Sequence, residues 1–224
     1  MSDVIVGLAD AKPAPAGSWA EGLLDLEADE RPRCSWGAST VDLAYYHDTE
    51  WGRPVTDERI LYEKMCLEGF QSGLSWLTIL RKRESFRAAF ANFEAEKVAA
   101  FGADDVDRLL GDANIVRHRG KIEAAISNAR AMLELWESGD SLANLFWSYR
   151  PERVSTPREF GDIPAQTEGS KALSKQLKRR GFRFVGPTTA YAAMQAMGVV
   201  NDHLEQCWAR TVCESPGQPT RQAE

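Results

Sequence analysis

The hydrophobic positions of this chain follow a helical rhythm along most of its length. The clearest run covers 119–137, where apolar residues recur at spacings of three, four and seven: Ile122, Ala125, Ile126, Ala129, Met132, Leu133 and Trp136. The same spacing predicts helices from Thr56 through Leu67 and over 74–91. Alternating patterns typical of strands are nearly absent. We therefore predict an all-α fold, and allow for short hairpin content around 150–165.

Polar, glycine and proline residues mark where the later helices begin and end. Ser170 is predicted to cap a helix that runs to Arg180 and is closed by Gly181. Pro187 is predicted to open the next helix, and Gly198 to end it.

The two ends of the chain lack the helical rhythm. Residues 1–33 are rich in Ala, Pro, Gly and acidic residues, and the last dozen residues are similarly irregular. We predict a flexible leader over 1–31, one helical domain over 32–210, and a flexible tail over 211–224.

Composition narrows the class of protein. With 224 residues, 43% of them hydrophobic, and seven tryptophans, the chain can bury a large core. No apolar run approaches the roughly 18 residues of a membrane span, and the first residues lack the pattern of a signal peptide. Four cysteines in a chain of this length do not form a disulfide framework. We expect a cytoplasmic protein with reduced thiols and no membrane partner.

Charge is unevenly distributed. The net charge is −6, yet residues 1–33 account for −4 of it and the bases are clustered at 81–83, 117–121 and 171–183. Local patches decide whether phosphate is attracted, although a single patch is more often a solvated helix face.

The segment 105–122 combines such a patch with a predicted helical hairpin. A short helix breaks at Gly111, and bases crowd the first turn of the long helix, where they oppose its dipole. This arrangement indicates an anionic partner and suggests a helix–hairpin–helix unit, although ordinary helical hairpins look much the same.

Two of the three histidines pair with cysteines at spacings that suit a metal. His47 follows Cys34 by thirteen residues, and Cys207 follows His203 by four, which one turn of helix would place on one face. Two imidazoles and two thiolates complete a tetrahedral set for zinc. Because the halves are about 155 residues apart, such a site would join the two ends of the fold.

Glu68 is the main candidate for chemistry. It follows Leu61 and Met65 at helical spacing and so shares their apolar face. A buried carboxylate is costly unless it has a partner, which makes it a candidate site. Alternatively, Glu68 escapes to water as the helix ends at Gly69, and the nearby aromatic residues serve only as core.

Five sequence blocks together resemble a known family, the bacterial 3-methyladenine DNA glycosylases of type I. The blocks are CSWG, YYHDTEWGRP, CLEGFQSGLSW, RHRGKIEAAISNARA and KRRGFRFVGPTTAYAAMQAMGVVNDHLEQC. The resemblance covers about residues 32–207. It implies a helix–hairpin–helix DNA-repair enzyme that flips 3-methyladenine out of double-stranded DNA and hydrolyses its N-glycosidic bond, without lyase activity.

The resemblance also implies roles for particular residues. A structural zinc ion would be held by Cys34, His47, His203 and Cys207, and four protein ligands leave no position for an activated water. The base pocket would comprise Glu68, Tyr46 and Trp76, with Trp36 and Trp51 nearby, and Leu74 would fill the space left by the flipped base. Leu43 stands where the best-known members have a tyrosine, so we expect one pocket wall to differ.

The DNA backbone is expected to be contacted by the hairpin and its basic residues. We predict phosphate contacts from Arg117, Arg119 and Lys121, together with hairpin amides that include Gly120. The protein is expected to act as a monomer.

For Glu68 we favour recognition and electrostatic stabilisation over general-base catalysis. Many relatives in the superfamily place an aspartate just after the hairpin helix, but the corresponding stretch 126–129 offers no carboxylate. Two other classes of protein are alternative hypotheses. A zinc hydrolase would need an exchangeable water on the metal, against which four ligands argue. A non-enzymatic, zinc-stabilised DNA-binding module is the second hypothesis.

Overall fold

Helices make up the computed structural model, which describes residues 29–152 and 155–214. No strand occurs within these residues, so the predicted all-α class is confirmed. The predicted leader lies outside the described residues up to position 28, and the predicted tail from position 215 onward. No described helix is both long enough and apolar enough to cross a bilayer.

The α-helices are, in chain order, α1 Val41–Thr49, α2 Glu58–Gln71, α3 Trp76–Ala89, α4 Ala95–Ala99, α5 Ala103–Gly111, α6 Arg119–Glu137, α7 Leu142–Trp147, α8 Glu168–Arg179, α9 Pro187–Ala196 and α10 Trp208–Cys213. Short 3-10 helices lie at Ser35–Ala38, Ala91–Phe93 and Phe160–Asp162.

Most predicted helices form where their periodicity placed them. Helix α6 has the predicted bounds, and α9 begins at Pro187 as expected. Gly198 follows α9 with a φ of +73°, and a Cβ there would lie 2.6 Å from the carbonyl carbon of Arg53, so the turn requires glycine.

The predicted start of α8 at Ser170 was wrong. Thr167 is the capping residue, and its side chain accepts a hydrogen bond from the Ser170 amide at 3.1 Å. The Ser170 hydroxyl in turn accepts from the Thr167 amide at 2.9 Å, which completes a capping box. Ser170 is therefore the third helical residue and is buried, whereas a cap would precede the helix.

Helix α2 lies at the centre of the core. All of its residues from 61 to 70 are buried, and it packs against α3, α6, α7 and α9. The Tyr62 hydroxyl donates to the Ala125 carbonyl at 2.8 Å, which fixes α2 against α6. Each large apolar side chain buried here contributes about 1.5–3 kcal/mol. Because α2 is surrounded, Glu68 near its end is buried with its neighbours.

The segment 150–165 contains no strand among its described residues. Instead, the Asp162 carboxylate accepts from the amides of Arg158 at 2.9 Å and Glu159 at 3.1 Å. These bonds stabilise a turn and the 3-10 helix Phe160–Asp162, so the hairpin allowed for in this segment does not form.

At the C-terminal end of the domain, α10 continues to Cys213, so the predicted boundary at 210 falls inside a helix.

Candidate active site and metal centre

The four predicted metal ligands meet in one buried cluster. The ligand atoms of Cys34, His47, His203 and Cys207 all lie within 4.8 Å of one another. The Cys207 sulfur lies 3.3 Å from His47 Nε2 and 3.5 Å from His203 Nδ1, and the Cys34 sulfur lies 3.7 Å from His203 Nδ1. Tetrahedral zinc with sulfur and nitrogen ligands requires edges of about 3.6 Å. The donor set fits that ion, and the three distances given above lie close to this edge length.

The second nitrogen of each imidazole has an acceptor that fixes the ring. His47 Nδ1 lies 2.8 Å from the Asp48 carboxylate, which also accepts from Arg33 at 2.7 Å. His203 Nε2 lies 3.3 Å from the carbonyl oxygen of Trp51. With a proton on each of these nitrogens, the nitrogens that face the sulfurs are free to bind a metal. Metal-binding histidines generally have such outer hydrogen bonds.

Two glycines allow the chain to pass close to these imidazoles. A Cβ at Gly37 would lie 2.7 Å from the His47 ring, and one at Gly52 would lie 2.8 Å from His203 Nε2. Both positions therefore exclude side chains, which keeps the two rings in place.

His203 and Cys207 meet by a route that differs from the predicted helical turn. Both lie in the connection between α9 and α10, and Cys207 directly precedes α10. The Cys207 amide donates to the Leu204 carbonyl at 2.9 Å, and the Leu204 amide donates to the Cys34 sulfur at 3.4 Å. The expected helix between the two ligands was wrong, because a non-helical turn organised around Cys34 brings them together.

Beside the cluster lies a cavity of about 540 Å³ lined largely by aromatic and apolar side chains. All five residues predicted for the base pocket line it: Trp36, Tyr46, Trp51, Glu68 and Trp76. The Tyr46 and Trp76 ring centroids are 5.3 Å apart. The cavity is large enough for a purine, which its aromatic walls could contact.

The cavity and the cluster of Cys34, His47, His203 and Cys207 share a wall. The Trp51 ring packs edge-on against His203 with centroids 4.6 Å apart, and Trp36 packs against His47 at 5.3 Å. Both tryptophans also line the cavity. The position of these pocket walls therefore depends on the imidazoles behind them.

Glu68 is buried in the cavity wall, only 7% exposed. Among the described residues, its carboxylate has neither a hydrogen bond nor an ion pair, and burial raises its pKa to about 8, against a lowering influence of Lys64. The alternative that Glu68 escapes to water does not hold, because α2 continues to Gln71. An unpartnered buried carboxylate is typical of a functional site.

The predicted wedge and hairpin residues lie at the surface. Leu74, in the connection between α2 and α3, is 42% exposed. Arg117 is exposed, and Gly120 lies in the first turn of α6. Arg119 is exposed and forms an ion pair with Asp107 of α5 at 2.9 Å, across the hairpin.

Lys121 differs from this group and contradicts its predicted role. It is only 7% exposed, and its ammonium donates to the carbonyl oxygens of Phe70 at 2.9 Å and Ser72 at 2.6 Å. Because the side chain extends inward along the end of α2, its ammonium lies away from the surface that a phosphate would contact. The prediction that Lys121 contacts a phosphate was therefore wrong.

Comparison with known proteins identifies the family. The methyladenine glycosylase model matches residues 36–211. The chain belongs to the methyladenine glycosylase family. It is 49% identical to DNA-3-methyladenine glycosylase 1 of Escherichia coli over 177 residues, which cover 78% of this chain and 95% of that protein. The resemblance predicted from the sequence is confirmed, and the chain is a DNA-repair glycosylase.

Solved structures agree with this assignment. One of 3-methyladenine DNA glycosylase I superposes with a TM-score of 0.77 at 48% identity, covering 79% of this chain and 98% of that one. Another, of the Staphylococcus aureus enzyme and describing the structural basis of 3-methyladenine recognition, has a TM-score of 0.75 at 37% identity and covers 80% and 96% of the two chains.

Two polar residues missed by sequence reasoning line the glycosylase cavity. Tyr191 and Gln195 line it from α9, and both donate to the buried Asp202 carboxylate, at 2.6 and 2.7 Å. Their spacing of four residues on one helix was a usable signal, but nothing local indicated that Asp202 turns back to meet them. Leu43 also lines the cavity, as expected for the wall that differs from the family pattern.

The raised pKa of Glu68 predicts a pH-dependent stability of this glycosylase. The folded state keeps Glu68 protonated up to a pH of about 8, whereas an unfolded glutamate ionises near its ordinary pKa of 4.5. The folded wild type therefore loses stability as pH rises between these values, and Glu68→Gln lacks this loss. In urea unfolding, we expect the free energy of unfolding of the variant to rise relative to that of the wild type by about 1 kcal/mol per pH unit between pH 5.5 and 8. A difference that stays constant over this range would contradict the assigned burial of Glu68.

Proposed function

We propose that this protein excises 3-methyladenine from alkylated double-stranded DNA by hydrolysing the N-glycosidic bond. The observation that carries the proposal is the unpartnered Glu68 carboxyl group, buried in a purine-sized cavity whose walls include Tyr46 and Trp76. Such a cavity cannot reach a base inside a duplex, so the base must be flipped out of the stack.

The chemistry of the lesion explains why aromatic walls can provide much of the binding energy for the flipped base. Methylation at N3 gives adenine a positive charge and makes it a fair leaving group. Base flipping costs a few kcal/mol, and stacking on an aromatic ring returns about 1–3 kcal/mol per base. A cationic base is also attracted to aromatic faces. Water adds to the sugar carbon, the glycosidic electron pair leaves with the base, and the water proton passes to solvent.

Glu68 is assigned to recognition and electrostatic stabilisation. As a carboxylate it can accept a hydrogen bond from the adenine amino group and balance positive charge in a dry cavity, where electrostatic interactions are strong. A cationic base entering the cavity lowers the pKa of Glu68 from about 8, so binding favours the ionised form. No lysine is among the described residues lining the cavity, so a Schiff base has no amine there, which supports a monofunctional enzyme.

The metal centre is assigned a structural role. Cys34, His47, His203 and Cys207 would hold zinc through four protein ligands, which leave no position for a reactive water. Its contribution would be to join α1 and the segment before it to the segment before α10, and to hold the imidazoles against which Trp36 and Trp51 pack.

The DNA-binding surface is assigned to the α5–α6 hairpin and the α2–α3 connection. The hairpin would act as a helix–hairpin–helix unit that grips phosphates through its amides and through Arg117 and Arg119. Leu74, exposed on the connection, would enter the duplex where the base has left. The exposed large apolar residues among those described are few, which supports a monomer: Leu74, Phe160, Phe184 and Val212.

We expect Arg117→Ala and Arg119→Ala each to reduce the salt dependence of DNA binding. Each phosphate contact adds about one unit to the slope of log affinity against log salt, so each substitution should remove about that much. The Arg119–Asp107 ion pair is exposed and therefore weak enough for a phosphate to compete for Arg119. Fluorescence anisotropy over a salt series measures the slope.

The matched control is Lys97→Ala, which removes an exposed base on α4 that pairs with Glu94. Its slope should equal that of the wild type. Equal slopes for all four proteins would remove the two arginines from the phosphate-binding surface.

The function is tested by measuring free base released from methylated duplex DNA. We expect release of 3-methyladenine and not of 7-methylguanine. No release by folded, zinc-loaded protein that still binds DNA would favour the alternative of a non-enzymatic DNA-binding module.

A further inference from the structure

Lys121 joins two segments that are far apart in sequence. It lies in the first turn of α6, directly after the hairpin, and its ammonium reaches the end of α2. There it donates to the carbonyl of Phe70, within the last turn of the helix, and to that of Ser72, which follows it. The last carbonyls of a helix lack internal partners, so the ammonium satisfies them and opposes the negative end of the dipole.

These carbonyls belong to the segment that carries the proposed wedge. Gly73 has a φ of +82°, and the Leu74 amide donates back to the Gln71 carbonyl at 2.6 Å, which forms a tight turn. Ser75 then caps α3 through the Thr78 amide. The turn 72–75, called the wedge turn below, is thus fixed at both ends, while the Leu74 side chain stays exposed.

A second lysine makes the reverse connection. Lys82 of α3, which follows the wedge turn, donates to the carbonyls of Ala113 at 3.0 Å and Asn114 at 3.1 Å. Both carbonyls lie in the turn of the α5–α6 hairpin. Lys121, on the helix after the hairpin, therefore holds the turn 72–75. Lys82, on the helix after the turn 72–75, holds the hairpin. These contacts connect the two turns to each other.

We propose that Lys121 is a positioning residue that sets the wedge turn relative to the DNA-gripping hairpin. When the hairpin binds phosphates, the hydrogen bonds of Lys121 fix where Leu74 meets the base stack. Binding of the DNA backbone therefore places Leu74 at the base that is flipped. This inference rests on the proposed roles of Leu74 and the hairpin. In this proposal, the positive charge of Lys121 binds carbonyl groups within the protein and does not contact DNA.

The test compares Lys121→Met with the wild type in three measurements. We expect kcat/KM for 3-methyladenine release from duplex DNA to fall about 10- to 100-fold, the range that follows from misplacing a reacting group by about 1 Å. The affinity for free 3-methyladenine should not change, because Lys121 does not line the cavity. The salt slope of DNA binding should also stay the same, whereas a phosphate contact would lower it by about one.

A fluorescence signal reports the wedge directly. With 2-aminopurine opposite an abasic-site analogue, insertion of Leu74 should unstack the probe and raise its emission in the wild type. Lys121→Met and Leu74→Ala should both lose this rise. Lys97→Met, which removes an exposed lysine on α4, should keep it and keep full activity.

A salt slope reduced by about one, or unchanged activity and fluorescence, would overturn the inference. If Lys121→Met does not fold, Lys121→Arg replaces it. The charge remains, but the planar guanidinium cannot converge on the Phe70 and Ser72 carbonyls as an ammonium does. It should lose the fluorescence rise at an unchanged slope. A wild type that releases no base would count against the proposed function, and the fluorescence comparison would still decide the role of Lys121.

Discussion

Glu68→Gln is expected to reduce 3-methyladenine release from methylated duplex DNA by about 100-fold or more, the size of effect seen when one electrostatic group is removed from a dry active site. Glutamine keeps the shape of the side chain and can still accept a hydrogen bond, but it cannot carry negative charge. The bond to the sugar breaks while positive charge is shared between base and sugar, and no other carboxylate is among the described residues that line the cavity. Single-turnover release of free base measures the effect.

The affinity of Glu68→Gln for free 3-methyladenine separates the possible roles. Recognition and electrostatics predict that binding and excision both weaken. If the variant binds the free base as the wild type does and yet releases none, Glu68 acts instead as the general base. Undiminished excision would remove Glu68 from the site altogether.

A matched control for this experiment is Glu63→Gln. Glu63 is also buried on α2 but faces Arg87 at 2.6 Å, outside the cavity. Its replacement should lower stability, since a buried pair is broken, while the folded protein keeps its rate of excision. A loss of excision equal to that of Glu68→Gln would mean that any buried charge on α2 matters equally.

The sequence predicts best where one periodic face decides the structure. Helix α6 has its predicted bounds because its apolar residues repeat over five turns, and Glu68 could be placed on the apolar face of α2 for the same reason. The cluster of Cys34, His47, His203 and Cys207 was predicted from residue type and spacing. The helical turn assumed between His203 and Cys207 was wrong, because contacts with Cys34 decide that segment.

Residues whose partners are distant could not be assigned from the sequence. Lys121 has the same local appearance as Arg119, one of a cluster of bases, yet its partners lie 49 and 51 residues earlier in the chain. Asp202 likewise meets Tyr191 and Gln195 only because the chain turns back after Gly198. Side-chain chemistry is visible in a sequence, but the direction of a long side chain is set by the fold.

Removal of zinc is the second large effect expected. Cys34 precedes α1, His47 lies within α1, and His203 and Cys207 precede α10, so a zinc ion bound to them would hold together parts of the fold that are far apart in sequence. Structural zinc contributes about 10–16 kcal/mol in small peptide domains, where it is the main source of stability. Here the main hydrophobic core includes neither ligand cysteine. We therefore expect the ends of the domain to open first and the rest to survive at lower stability.

Cys207→Ala tests this expectation, with Cys213→Ala as its matched control. Both cysteines are buried, but Cys213 is outside the ligand cluster. The wild type and Cys213→Ala should each contain one zinc per chain by metal analysis, and Cys207→Ala should contain little. Cobalt substituted into the wild type should give a four-coordinate thiolate spectrum without a water ligand, and a water ligand would revive a hydrolytic role for the metal.

Loss of the metal should also abolish excision, although no reaction step involves it. Trp36 and Trp51 line the cavity and rest on the imidazoles of His47 and His203, so rings freed from the metal would let both walls move. We therefore expect Cys207→Ala to lose affinity for free 3-methyladenine together with excision, at temperatures where circular dichroism shows that its helices persist. If the zinc-free variant binds the base as tightly as the wild type, the metal stabilises the ends of the chain without shaping the pocket.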